Sequence, residues 1–169
     1  MKNTGTSENT RYTCCMIRIS ITKQRLYHRN IAGVWHTYPV STASKGAGNQ
    51  KESFQTPLGK HRICQKIGNH APIMTAFRAR QPVGIYQKGT DDPNKDWILS
   101  RILWLTGTQT GINKRGHVDS YERYIYIHGT HEEEHIGTPA SHGCIRMKNN
   151  DIIHLFERCD IGESVIIAP

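Results

Sequence analysis

The sequence predicts a mainly β protein, and three observations point that way. Ile and Val number 25 against 18 for Leu, Met and Ala together; branching at Cβ stiffens χ1 in a helix and suits a pleated surface. Fifteen Gly punctuate short apolar runs, the pattern of a loop-rich fold rather than of long helices. Where apolar residues recur, they mostly do so with a period of two. The length of 169 residues is that of one domain, with enough interior to fold without staples.

The elements follow in order. Residues 1–14 are polar and read as a flexible N-terminal tail, leaving a single domain over 15–169. Ile17, Ile19 and Ile21 alternate with Arg18, Ser20 and Thr22, and Lys23-Gln24 turns the chain toward Leu26 and Tyr27. That is a hairpin with one buried face. Val34 to Val40 reads as a strand, and the polar stretch Ser44 to Gln55 as a long mobile loop. Gly46 and Gly48 within it lack the third Gly and the helix opening that a nucleotide fingerprint requires. Thr56-Pro57-Leu58-Gly59 marks a turn before a strand from Lys60 to Ile67. Asp91-Asp92-Pro93-Asn94 marks another before Trp97 to Leu105, whose Leu99, Arg101, Leu103 and Leu105 share a face. Tyr124 to His128 makes a further strand. The one convincing helix follows Asn149-Asn150 as cap, with Ile152, Leu155, Phe156 and Cys159 at helical spacing; Gly162 then precedes a last strand, Ser164 to Ala168.

Composition narrows the function classes. No apolar run approaches the ~20 residues of a membrane span, and Met1 to Tyr12 lack the apolar core of a secretion signal, so no export signal is visible. Five Cys without a CxxC pair argue against a disulfide framework. The net charge is +8, unevenly divided: residues 1–80 carry thirteen Lys/Arg against Glu8 and Glu52, whereas residues 81–169 carry nine against twelve acids. The basic half attracts polyanions, so a non-enzymatic polyanion-binding protein is one reading. Nucleic acid is not the expected partner, because the aromatics are spread singly and no zinc-finger or RNP signature occurs.

Residues 128–144 concentrate the chemistry, with four of the ten His and Cys144. His131-Glu-Glu-Glu-His135 is a literal HExxH, which on a helix would hold zinc with Glu132 as base. Gly129, Gly137 and Pro139 leave room for barely one and a half turns, so no metal is expected. Ser141-His142-Gly143-Cys144-Ile145-Arg146-Met147 offers a different chemistry. A Cys becomes a nucleophile when its thiolate is stabilised by imidazole, positive charge or backbone N–H groups. His142 and Arg146 flank Cys144 at two positions, and Gly143 lets the backbone approach a substrate so that its N–H and that of Cys144 can meet an oxyanion. His128, ending the preceding strand, is a base delivered from a separate position.

These residues resemble the YkuD-type L,D-transpeptidases of bacterial cell walls. The resemblance rests on Ile127-His128-Gly129-Thr130, Ile136-Gly137-Thr138-Pro139-Ala140, the SHGCIRM segment and Asn149-Asn150-Asp151-Ile152, with Thr56 to Ile63 and Tyr38 to Thr42 upstream. It implies a mixed-sheet β-sandwich with one or two short helices and the Cys and His at the mouth of a covered cleft. Cys144 is then the nucleophile and His128 the general base, held in its tautomer by the Gly129 carbonyl, with His142 across the sulfur. Gly143 and Cys144 N–H form the oxyanion hole, Ser141 positions the loop, and Arg146 meets a substrate carboxylate or steadies the loop. The implied partners are peptidoglycan stem peptides as donor and acceptor, the implied inhibitor a carbapenem that acylates Cys144, and the implied location the cell envelope or periplasm. No cofactor is needed. Water in place of the acceptor amine turns the same site into an L,D-carboxypeptidase or cross-link hydrolase.

Overall fold

Ten strands and one α-helix make up the computed structural model, which describes residues 15–169; the expected tail, residues 1–14, lies outside the described residues. The expected hairpin is present as β1 (Met16–Ser20) and β2 (Arg25–Arg29), with Ile17, Ile19 and Leu26 buried and Arg18 exposed between them. Gln24 closes its turn at φ 49°; its side chain is buried and bonded to Thr42, at 2.8 Å to the backbone N and 2.7 Å to Oγ1. β3 (Trp35–Pro39), β4 (Gly59–Ile67) and β7 (Ile98–Gly107) fall where alternation and turns placed them. So do β8 (Tyr126–Gly129) and β10 (Ser164–Ala168). Three strands have no counterpart in the sequence reading: β5 (Thr75–Arg78), β6 (Gln81–Ile85) and β9 (Ile145–Met147). β6 is exposed along its whole length and therefore carries no alternation to detect.

The strands form one curled, mixed sheet in the order β3-β2-β1-β10-β4-β7-β5-β6, with β8 added on β7 and β9 on β8. β1 with β10 and β8 with β9 are the parallel pairs. β7 is buried on both faces, as a central strand must be, and a register shift between Leu99 and Ile102 breaks its alternation. Leu99 therefore leaves the face of Leu103 and Leu105 and packs with Ala76 and Tyr86 instead. The main core lies between β1, β2 and β10 on one side and β8, β9 and the helix on the other; Ile17, Ile19, Ile127, Ile145, Leu155 and Val165 are among its members.

Helix α1 (Asn149–Phe156) is shorter than its apolar spacing suggested, and its N-cap is Lys148. Asn149 lies inside the first turn, where its side chain donates to Thr130 O and accepts from Ser100 Oγ at 2.7 and 2.6 Å. The capping oxygen comes instead from Glu133, 2.6 Å from Asn149 N, which also favours the positive end of the helix. The loop 44–55 is tied down by paired backbone bonds, Gly48 N to Thr56 O and Thr56 N to Gly46 O, and by Arg123 reaching Gln55 O at 2.6 Å. Its polar groups serve these bonds. No helix among the described residues is long and apolar enough to cross a membrane.

Candidate active site

Side-chain alternation on the parallel pair β8–β9 decides what faces what. Ile127 lies opposite Ile145, and both enter the main core. His128 lies opposite Arg146, so these two point to the other face. Cys144, one residue before β9, joins that face: its Sγ accepts the Tyr126 N–H at 3.4 Å and donates to Tyr124 O at 3.3 Å. Cys144 is half-buried and packs against the cluster of Phe77, Ile102, Trp104 and Tyr126. Trp104 and Tyr121 stack with ring centroids 4.2 Å apart, and Tyr126 meets Trp104 edge-on at 5.5 Å.

His128 is 1% exposed. Its Nδ1 lies 2.7 Å from the Gly129 carbonyl, which can only accept, so the proton sits on Nδ1 and Nε2 is left as the base. Burial lowers the His128 pKa, opposed by Asp96 and the Gly129 carbonyl. Burial likewise pushes the Cys144 thiol up to about 12. The sequence pointed to a thiolate stabilised near neutrality; the surroundings of both side chains instead favour their neutral forms, because burial disfavours each ion.

Asp96, which the sequence reading passed over as part of a turn region, is the charged hub. Its carboxylate meets Arg146 Nη2 at 2.7 Å and His142 Nδ1 at 3.1 Å. Burial pushes its pKa up, but His128, Arg146 and His142 outweigh that and hold it below the usual carboxylate range. Arg146 is 3% exposed and its other arm bonds Glu132 at 2.6 Å. Both arms of the guanidinium are thus engaged by carboxylates, an arrangement that steadies the loop. His142 lies exposed between Asp96 and Phe54.

Ser141 is buried and donates to Cys144 O at 2.5 Å. It also accepts the Gly143 N–H at 3.2 Å, so one of the two amides expected to meet an oxyanion is engaged within the loop. Ser141 thereby braces the loop. Gly143 has φ +134°, a backbone conformation that a Cβ would strain. The loop is fastened to the 41–44 segment by Ser41 and Arg146 exchanging backbone bonds at 2.8 and 2.9 Å. Thr56, buried, adds Oγ1 to Gly143 O at 3.0 Å. In the HExxH segment Glu133–His135 is a single 3-10 turn; His131 donates to Pro93 O at 2.9 Å and His135 faces Glu132.

The model of the family described as "L,D-transpeptidase catalytic domain", YkuD, matches residues 16–167. The chain belongs to this L,D-transpeptidase family. Among relatives in this family, "Putative L,D-transpeptidase YqjB" of Bacillus subtilis is 49% identical over 46 residues, 27% of this chain and 26% of its own. "Probable L,D-transpeptidase ErfK/SrfK" of Escherichia coli is 31% identical over 111 residues, 51% of this chain and 36% of its own. The fold is that of an L,D-transpeptidase from Mycobacterium smegmatis, with TM-score 0.54 and 17% identity over 92% of this chain and 58% of that one. A further fold match is LD transpeptidase LdtMt1 in complex with imipenem, with TM-score 0.55 and 18% identity over 92% and 59% of the two chains. The chain thus spans about a quarter to a third of these curated relatives.

Asp96, Thr56 and Tyr126 are the site residues that single-residue reasoning missed. Thr56 lay inside the quoted Thr-Pro-Leu-Gly block, and Tyr126 inside a predicted strand two positions before His128. Asp96 carried no local signal, since its partners Arg146 and His142 are 50 and 46 residues away in sequence.

Proposed function

We propose that this L,D-transpeptidase domain is a cysteine acyltransferase acting on peptidoglycan stem peptides in the bacterial cell envelope or periplasm. The observation that carries the reading is the placement of His128 and the Cys144 sulfur on one face of the β8–β9 pair, with the His128 tautomer set by Gly129 O. Cys144 attacks the carbonyl of the third residue of a tetrapeptide donor. Its proton passes to His128 Nε2 as the C–S bond forms, because a thiol at about 12 does not ionise first. Asp96, an electrostatic neighbour of His128, stabilises the imidazolium. D-Ala leaves with that proton as the thioester forms. An acceptor amine from a neighbouring stem then breaks the thioester and returns the sulfur to the thiol state. The Cys144 N–H stabilises the oxyanion, joined by Gly143 N–H if the loop releases it from Ser141. The site as proposed needs no metal or organic cofactor, and a carbapenem would acylate Cys144 in the same way.

Incubation with purified tetrapeptide muropeptides tests this. Dimers with release of D-Ala are expected, and Cys144→Ala abolishes both. Tripeptide monomers without dimers would instead assign hydrolysis, and turnover by Cys144→Ala would remove the cysteine mechanism altogether.

A further inference from the structure

The face of the sheet turned away from the core carries a second pattern. Across five neighbouring strands, Thr37, Tyr27, Arg18, Ile166 and Lys60 form one hydrogen-bonded row. Trp35, Arg29, Met16, Ser164 and Arg62 form the next. Arg25 begins a third row, beside Ser20. The strand positions of this face hold five cations and no carboxylate, over a width of about 19 Å at the usual strand spacing. None of the five enters an ion pair among the described residues. Trp35 is 49% exposed, with the Arg29 guanidinium 5.9 Å from its ring centre. A shallow depression of about 480 Å³ runs between Trp35, Tyr27, Arg18, Lys23 and Ile166.

Alternation alone makes this face solvent-exposed; it does not require that the exposed positions be cationic and aromatic. Positive charge crowded on the strand positions of one face is self-repelling and attracts an extended anion, although Asp160 and Glu163 lie near Lys60 and Arg62 at its far edge. An exposed indole and a phenol ring beside those charges offer flat apolar surfaces on which sugar rings stack. The core separates this face from Cys144: Ile17 and Ile19 point inward from β1, Ile127 and Ile145 inward from β8 and β9, and Arg18 and His128 point outward on opposite sides. A polymer held on the one face leaves the other free.

We infer that the Trp35–Tyr27–Arg18 face binds the peptide-bearing glycan strand of peptidoglycan, its aromatic rings against the sugars and its cations against the carboxylates of the attached stem peptides, and so holds the domain on the polymer whose stem peptides Cys144 acts on. The choice of a glycan over another polyanion rests on the proposed function, since those peptides are covalently joined to such a strand. Binding is mainly electrostatic, so it weakens as salt rises from 50 to 200 mM.

The test is co-sedimentation of the full chain with purified sacculi, using Cys144→Ala so that turnover does not enter. Arg18→Gln with Lys60→Gln, and separately Trp35→Ala, should each lower sacculus affinity at least fivefold. The same changes in the Cys144 protein should leave turnover of a soluble tetrapeptide donor unchanged, which also shows that the variants are folded. Sacculus binding unaffected by either variant, or tighter binding to a 20-mer of oligo-dT or to anionic phospholipid vesicles, overturns the proposal. Loss of turnover on every substrate with sacculus binding and its variant sensitivity intact would count against the proposed function and leave this face standing.

Discussion

At Cys144, burial and the proposed catalysis pull in opposite directions. The sulfur is close enough to solvent to be reached, yet it contacts an aromatic wall that disfavours a thiolate, and its hydrogen bond to Tyr124 O favours the protonated form. Comparing the thiolate absorbance of the wild type with that of Cys144→Ala should show no Cys144 ionisation below pH 10. A step near neutrality would mean a preformed ion pair and would sink the concerted proton transfer. Intact mass after carbapenem treatment should rise once per chain and stay unchanged in Cys144→Ala. The lowered pKa of His128 keeps the base neutral as the pH falls, so the acid limb of the rate profile should lie below 6.5. Asp96→Asn removes a charge that favours the imidazolium. It should reduce kcat, by at most about tenfold for each pKa unit lost, and move the acid limb lower still. Arg146→Ala separates two readings of that residue. A substrate clamp would show as a raised KM in a protein of normal stability. The bridge to Asp96 and Glu132 predicts instead a loss on the order of 2–4 kcal/mol in denaturant unfolding, tempered by the partial exposure of both carboxylates.

Elements place those residues, and their junction is where packing is least forgiving. A Cβ on Gly129 would lie 2.4 Å from Asn149 Oδ1 and 2.7 Å from Leu99 O, at the meeting of β7, β8 and α1. Gly129→Ala should therefore destabilise the fold by roughly 1–3 kcal/mol in urea unfolding and lower activity through the displaced His128. An unchanged midpoint would mean that this junction is looser than its geometry states. Elements whose two faces differ in burial were readable from the sequence: Ile17 and Ile19 against Arg18 define β1 without ambiguity. β9 was not, because Ile145, Arg146 and Met147 are all buried, the Arg by its two carboxylates. The helix was overextended because Cys159 is a core residue at helical spacing that the chain reaches after the helix has ended. The even spacing of Leu99 to Leu105 suggested one face, and the register shift that separates Leu99 is a backbone feature with no side-chain signature.

For the whole molecule, pH acts through buried imidazoles. His61 on β4 is buried with Nδ1 on Gly59 O at 3.1 Å and Nε2 on Ser120 Oγ at 2.9 Å. Burial lowers its pKa from 6.5 to about 4. The unfolded chain takes up that proton near 6.5 and the folded chain only near 4, so stability falls as the pH drops through that window and levels off below it. The contribution is roughly 3 kcal/mol by linkage. Chemical unfolding at pH 7, 5 and 4 should show it, and a His61→Gln protein should lack most of the slope. Equal slopes would assign the acid sensitivity elsewhere, His128 being the next group whose burial gives the same sign.

By itself the sequence determined the β class, most strand positions and the chemical types gathered around Cys144, because period-two burial and a compact motif are written in neighbouring residues. Only the tertiary structure placed Asp96 against Arg146 and His142, joined Arg146 to two carboxylates and set the Cys144 thiol among groups whose burial raises its pKa. Each of these depends on charges and apolar walls brought together from segments some 50 residues apart, and the free energy of a proton or an ion pair is set by that enclosure rather than by the residues adjoining it along the chain.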